Sequence, residues 1–211
     1  MKTVRIRFSK TGRAKYISHL DLSRVMQRAL RRAAVPLWYT EGFNRHPYVT
    51  FAAPLSLGFE GLRETMDFRL VEEMDYGELT RRLDEAVPEG IHVLSAADPV
   101  MKPGQIARAR YRLSVEGGLG LLAEFLALPE IPAEKRTKKG GMKTIDLKPA
   151  LLETAVEEQE GQTALELLLP CGGETVNPSL VWTAYGAFSG DSRPAAVLRL
   201  DLYDEAGNSF A

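Results

Sequence analysis

The chain is poor in the residues that most often carry chemistry. Its 211 residues include one cysteine, Cys171, and three histidines. A lone thiolate cannot supply a Cys-rich zinc site, and an iron–sulfur cluster needs several thiolates. The expectation is therefore no metal and no cofactor of its own. No run of 18 apolar residues occurs, and the opening MKTVRIRFSKTG puts charges where a signal peptide needs its apolar stretch. These absences predict no membrane span and a cytoplasmic protein in a reducing compartment. No GxSxG, HExxH or P-loop is present. The KKGG at Lys138–Gly141 has no Lys-Ser or Lys-Thr ending a glycine frame, and it resembles a basic hairpin tip.

What the chain does contain is an ordinary core composition with an unusual arrangement of charge. It is 45% hydrophobic and 26% charged, enough for one or two domains of roughly 100 residues each. The net charge of −1 divides into successive blocks of +9 (residues 1–50), −7 (51–100), +5 (101–150) and −8 (151–211). Blocks that fold to separate faces would steer a polyanion to one side. Blocks that intermix in space would cancel.

Thr3–Phe8 alternates Val4, Ile6 and Phe8 with Arg5 and Arg7, the period of a half-buried strand whose solvent face is basic. Ser18 and Asp21 have the spacing of a capping box, so a helix starts near Ser18. Leu22, Val25, Met26, Ala29 and Ala33 form its apolar face, and Arg24, Arg28, Arg31 and Arg32 a second stripe. It should stop near Pro36. Extended segments follow at Leu37–Thr40, Val49–Ala53 and Thr65–Val71, then a helix at Tyr76–Val87 and a strand at Ile91–Ala97. The second half gives a strand at Ala109–Val115, a helix at Leu119–Leu128 and a hairpin from Glu134–Lys138 and Lys143–Leu147. Strands at Leu151–Glu158 and Thr163–Leu169, a helix at Pro178–Tyr185 and a strand at Ala195–Tyr203 complete it. The expected fold is α+β, two tandem ferredoxin-like (βαββαβ) units spanning 1–98 and 109–211, with a linker at 99–108 and the hairpin inserted in the second unit. One larger α+β sheet is the alternative.

Catalytic candidates are few. His19 and His46 could serve as acid and base in RNA cleavage, or join a carboxylate such as Asp21 around a metal, but His19 and Asp21 fall within a capping motif and His46 within a turn. His92 reads as structural and Cys171 as a turn residue. Nucleic-acid binding has more behind it. Arg5, Arg7, Arg13, Lys15, the Arg24–Arg28–Arg31–Arg32 stripe and Arg45 accompany Trp38, Tyr39, Phe43, Tyr48 and Phe51, and cations beside aromatic planes suit single-stranded RNA. Tyr39 and Tyr48 are the expected stacking residues, while Trp38 and Phe51 are assigned to the core. Lys135, Arg136, Lys138, Lys139 and Lys143 form a second cationic cluster.

Several segments carry a family likeness: SHLDL at Ser18–Leu22, RALRRA at Arg28–Ala33, EGFN at Glu41–Asn44, APLSLG at Ala53–Gly58, EKRTKKGGMKTIDLKP at Glu134–Pro149 and NPSL at Asn177–Leu180. Together they resemble the radical-SAM-linked protein family, a bacterial domain of unknown function found free-standing or fused behind a radical SAM protein. Members usually carry proline where this chain has Arg45 and Ser56. The resemblance implies a separate radical SAM enzyme as partner and, from gene setting, RNA or ribosome biology. Cys171 alone cannot make the chain itself a radical SAM enzyme. The leading expectation is a non-catalytic accessory protein that binds RNA in a tRNA-modification, rRNA-modification or ribosome-related process. The alternatives are a metal-independent RNA endonuclease of tandem ferredoxin-like type and a protein-only adaptor.

Overall fold

The computed structural model describes residues 1–136, 140–159 and 161–211, with Arg136 described by its backbone alone. The fold is α+β, in two compact units: residues 1–106 with 208–211, and residues 107–207. The division falls between Ile106 and Ala107, and the last four residues return to the first unit.

The first unit contains β1 (Lys2–Lys10), α1 (His19–Arg32), β2 (Val49–Phe51), β3 (Glu60–Leu70), α2 (Tyr76–Ala86) and β4 (Ile91–Ala97). Its strands lie in the order β4-β1-β3-β2, every neighbour antiparallel, with Ile6 opposite Met66 and Arg5 opposite Asp67. Period-two alternation then sends Val4, Ile6 and Phe8 to the same side as Met66, Phe68 and Leu70. Leu22, Met26, Ala29 and Leu30 of α1 and Leu79 and Leu83 of α2 close over them as one core.

Local chemistry explains the helix ends. The Ser18 hydroxyl accepts from the Asp21 amide at 3.2 Å and donates to the Asp21 carboxylate at 2.8 Å. The carboxylate thus bonds the hydroxyl of the cap, where the capping-box spacing predicted a backbone amide. The other end stops at Arg32, four residues short of Pro36. There Ala34 takes a left-handed φ of 50°, while the Ala34 and Val35 amides donate back to the Arg31 and Leu30 carbonyls at 3.1 and 3.2 Å. This is a Schellman closure with alanine in the place glycine usually fills. The extended Leu37–Thr40 segment forms only isolated bridges, Leu37 to Leu70 and Tyr39 to Pro47.

The second unit contains β5 (Arg108–Glu116), α3 (Leu122–Ala127), the hairpin β6 (Pro132–Arg136) and β7 (Met142–Asp146), β8 (Glu153–Gln159), β9 (Gln162–Pro170), α4 (Pro178–Ser189) and β10 (Ala196–Tyr203). Its main sheet runs β10-β5-β9-β8, again fully antiparallel, and β6 and β7 form a separate two-stranded sheet. Leu113, Leu165, Leu167, Leu122, Phe125, Val181 and Tyr185 are buried. α3 is shorter than its apolar spacing suggests because Gly117, Gly118 and Gly120 precede it and Leu121 has a φ of 59°. α4 runs on to Gly190, whose φ of 76° ends it.

Candidate nucleic-acid interface

The arginines of β1 do not face solvent. Arg5 is 3% exposed, and its Nε and Nη2 donate to the two Asp67 oxygens at 2.7 and 2.8 Å. Its Nη1 donates to the Ala211 oxygen at 2.6 Å, and its guanidinium lies 4.3 Å from the centre of the Phe210 ring. Arg7 is half-buried and donates to the Phe210 carbonyl at 2.8 Å. Both side chains point away from the helices, as alternation requires, but residues 208–211 cover them. The expectation that Arg5 and Arg7 present a basic strand to RNA is corrected accordingly: they clasp a segment more than 200 residues away in sequence.

The cationic surface lies instead on α1. Arg24, Arg28 and Arg31 are exposed and recur at the four- and three-residue spacing of one helix face. Arg24 is held by Asp21 at 3.0 Å, whose carboxyl is kept below the usual range by the Ser18 hydroxyl and by Arg24. Among the described residues, Arg28 and Arg31 meet no carboxylate, and the Arg31 guanidinium sits 5.9 Å from the centre of the Tyr39 ring. Arg32 differs, because it donates to the Ala86 carbonyl at the end of α2 and so helps to cap that helix. In the turn before α1, Arg13 is exposed, whereas Lys15 is drawn toward Glu60 at 3.6 Å.

Beyond α1 the chain builds an aromatic frame. The Arg69 guanidinium lies 5.2 Å from the Trp38 ring and 4.8 Å from the Tyr48 ring, and the two rings meet edge-on at 6.3 Å. Tyr48 is therefore occupied by an internal cation on one side. Trp38 and Phe51 are half-buried, not fully enclosed, with Phe51 edge-on to both Phe8 and His19. Arg45 is exposed on the 41–46 loop. His46 closes that loop: its Nδ1 lies 2.9 Å from the Asn44 carbonyl and 3.3 Å from the Thr40 hydroxyl. Thus His19 meets Phe51, and His46 meets Thr40 and Asn44. Among the described residues, no group of three His, Cys, Asp or Glu side chains is placed to hold a metal, and no helix is long and apolar enough to cross a membrane.

Residues 3–178 match the DUF2344 family, described as an uncharacterized protein conserved in bacteria. The chain belongs to the DUF2344 family. No curated protein matches it. The DUF2344 match takes in the whole of α1 and the aromatic frame and ends where α4 begins.

In the second unit of this DUF2344 protein, Lys135 and Lys143 are opposite one another on the hairpin, and Lys135 donates to the Thr175 carbonyl at 3.0 Å. They line a groove of about 530 Å³ with Ile145, Pro149 and Thr175. Lys138, Lys139 and the Arg136 side chain lie outside the described residues. The sequence expectations leave out Tyr16 and count Phe43 only among the aromatics that accompany the cations, not as a stacking residue. Tyr16 is 68% exposed just before the helix, and Phe43 is fully exposed at the tip of the 41–46 loop. Their signal is weak in the sequence because aromatics in a domain of this size are expected in the core. The resulting arrangement can neutralise phosphates along one helix face and offer rings at both of its ends.

Proposed function

We propose that this DUF2344 protein is a non-catalytic, cytoplasmic RNA-binding accessory protein that works beside a separate radical SAM enzyme. One observation carries the RNA reading. The Arg24–Arg28–Arg31 face of α1 is exposed, Arg28 and Arg31 meet no carboxylate among the described residues, Tyr39 lies beside Arg31, and Tyr16 is exposed just before the helix. Such a face gains affinity by releasing counterions from a phosphate backbone, and these rings add stacking. The strand orders β4-β1-β3-β2 and β10-β5-β9-β8 support reading the two units as ferredoxin-like and in tandem, with the β6–β7 hairpin as an insertion. The radical SAM partner is supported by the resemblance carried by SHLDL, EGFN and APLSLG.

Filter binding of total bacterial RNA tests the first part. Wild-type protein should retain RNA at low salt, and R24Q/R28Q/R31Q should lose most of it. Equal retention by both proteins overturns the assignment to α1. Co-purification of a radical SAM enzyme with tagged protein after nuclease treatment tests the second part, and its absence in cells that express both removes the partner.

A further inference from the structure

Between Asp21 and Glu60 the chain has five arginines and a single acidic residue, Glu41. Within that stretch the 41–46 loop is pinned at its base. Tyr39 bridges to Pro47, the Thr40 amide donates to the His46 carbonyl at 2.9 Å, and the His46 ring is tied to Asn44 and Thr40. This frame holds Phe43 fully in water, two residues before the exposed Arg45. A large aromatic left in solvent forgoes the stabilisation that burial gives. Held on an ordered frame, its ring is ready for a planar ligand at little cost in ordering. The base of the loop also joins the α1 surface, since Tyr39 lies under the Arg31 guanidinium.

We infer that Phe43 is the stacking platform for an unpaired base of a single-stranded RNA whose phosphates run along Arg24, Arg28 and Arg31. The inference rests on the RNA-binding reading and narrows it to unpaired RNA. In a duplex the bases are stacked on one another and the deep major groove is closed to side chains, so a protruding ring finds no π-face. In a single strand every base offers one, whatever its identity. The cationic surroundings favour this polyanion over an apolar protein segment.

The test uses the full chain and a short fluorescein-labelled RNA, presented single-stranded and as a blunt duplex, with wild type, F43A and F43W. Phe43 touches no core residue, so truncation should leave the thermal melt unchanged. F43A should bind the single strand about 5- to 150-fold more weakly, the worth of one base–aromatic stack. Its duplex affinity and its salt slope should stay as in wild type, because no phosphate contact is lost. F43W should restore single-strand affinity, and a 2-aminopurine base in the strand should show fluorescence quenching with wild type and F43W but not with F43A. Salt-dependent wild-type binding that is unchanged in F43A, or weakened equally on both RNAs, overturns the role of Phe43 while RNA binding by α1 stands. Absence of any RNA binding by wild type at low salt overturns both.

Discussion

Replacing Asp67 with alanine should be among the most damaging single changes in the first unit. Arg5 is buried at 3% exposure with a bidentate bond to Asp67, itself only 15% exposed. Removing the carboxylate leaves a guanidinium enclosed by the sheet and residues 208–211 without its counter-charge. Breaking a buried pair from one side costs about 3–5 kcal/mol. The Phe210 ring and the Ala211 oxygen still contact Arg5, which places the expected loss near the lower figure, about 3 kcal/mol. Against a total stability of about 5–15 kcal/mol this is large. With a urea slope of about 2–3 kcal/mol/M it moves the midpoint down by about 1–1.5 M. Trp38 reports the first unit once Trp182 is changed to phenylalanine, so urea titration by fluorescence reads the shift. The double variant R5M/D67L, which replaces both charges by apolar groups, should recover most of the loss. A D67A penalty under about 1 kcal/mol, or a double variant no better than the single, would refute the buried-pair account.

Ala34→Gly should stabilise the protein by about 0.5–1 kcal/mol, because alanine sits at a left-handed φ that glycine adopts freely; thermal melts that fall instead would contradict the Schellman reading. The Asp191 carboxyl is lowered from 3.8 to about 2 by the side chain and amide of Arg193. A depressed folded-state value means stability that is present above pH 3.8 and lost as the pH falls through about 2. Wild type should therefore melt above Asp191→Asn at neutral pH and the two should converge toward pH 2, whereas a gap independent of pH would sink the argument. Incubation of wild type, His19→Ala and His46→Ala with labelled RNA should leave it intact in every case; cleavage lost on either substitution would make the protein a nuclease.

The elements that local chemistry controls were legible in the sequence. Ser18 and Asp21 marked the start of α1, and the alternation in Val4, Ile6 and Phe8 marked β1 and its buried side. Alternation alone cannot say what lies over the other side of a strand. Arg5 looked solvated because its partners, Asp67 and Phe210, are 62 and 205 positions away. The same limit hid the use of Arg32 as a cap for α2. The arginine stripe was readable because helix periodicity brings Arg24, Arg28 and Arg31 together without any tertiary knowledge. Phe43 stood among the aromatics beside the cations, but its exposure was not readable, since that depends on a frame built by Thr40 and His46 that composition does not reveal.

The central claim is that the α1 arginines contact phosphates, and the salt dependence of binding tests it most directly. Affinity for a single-stranded RNA falls with salt at a logarithmic slope of about 0.7 for each phosphate neutralised. Measured by anisotropy across a salt series, R24Q/R28Q/R31Q should show a slope shallower than wild type by about 2, for three lost contacts. An unchanged slope would contradict the claim, as would wild-type affinity that does not respond to salt.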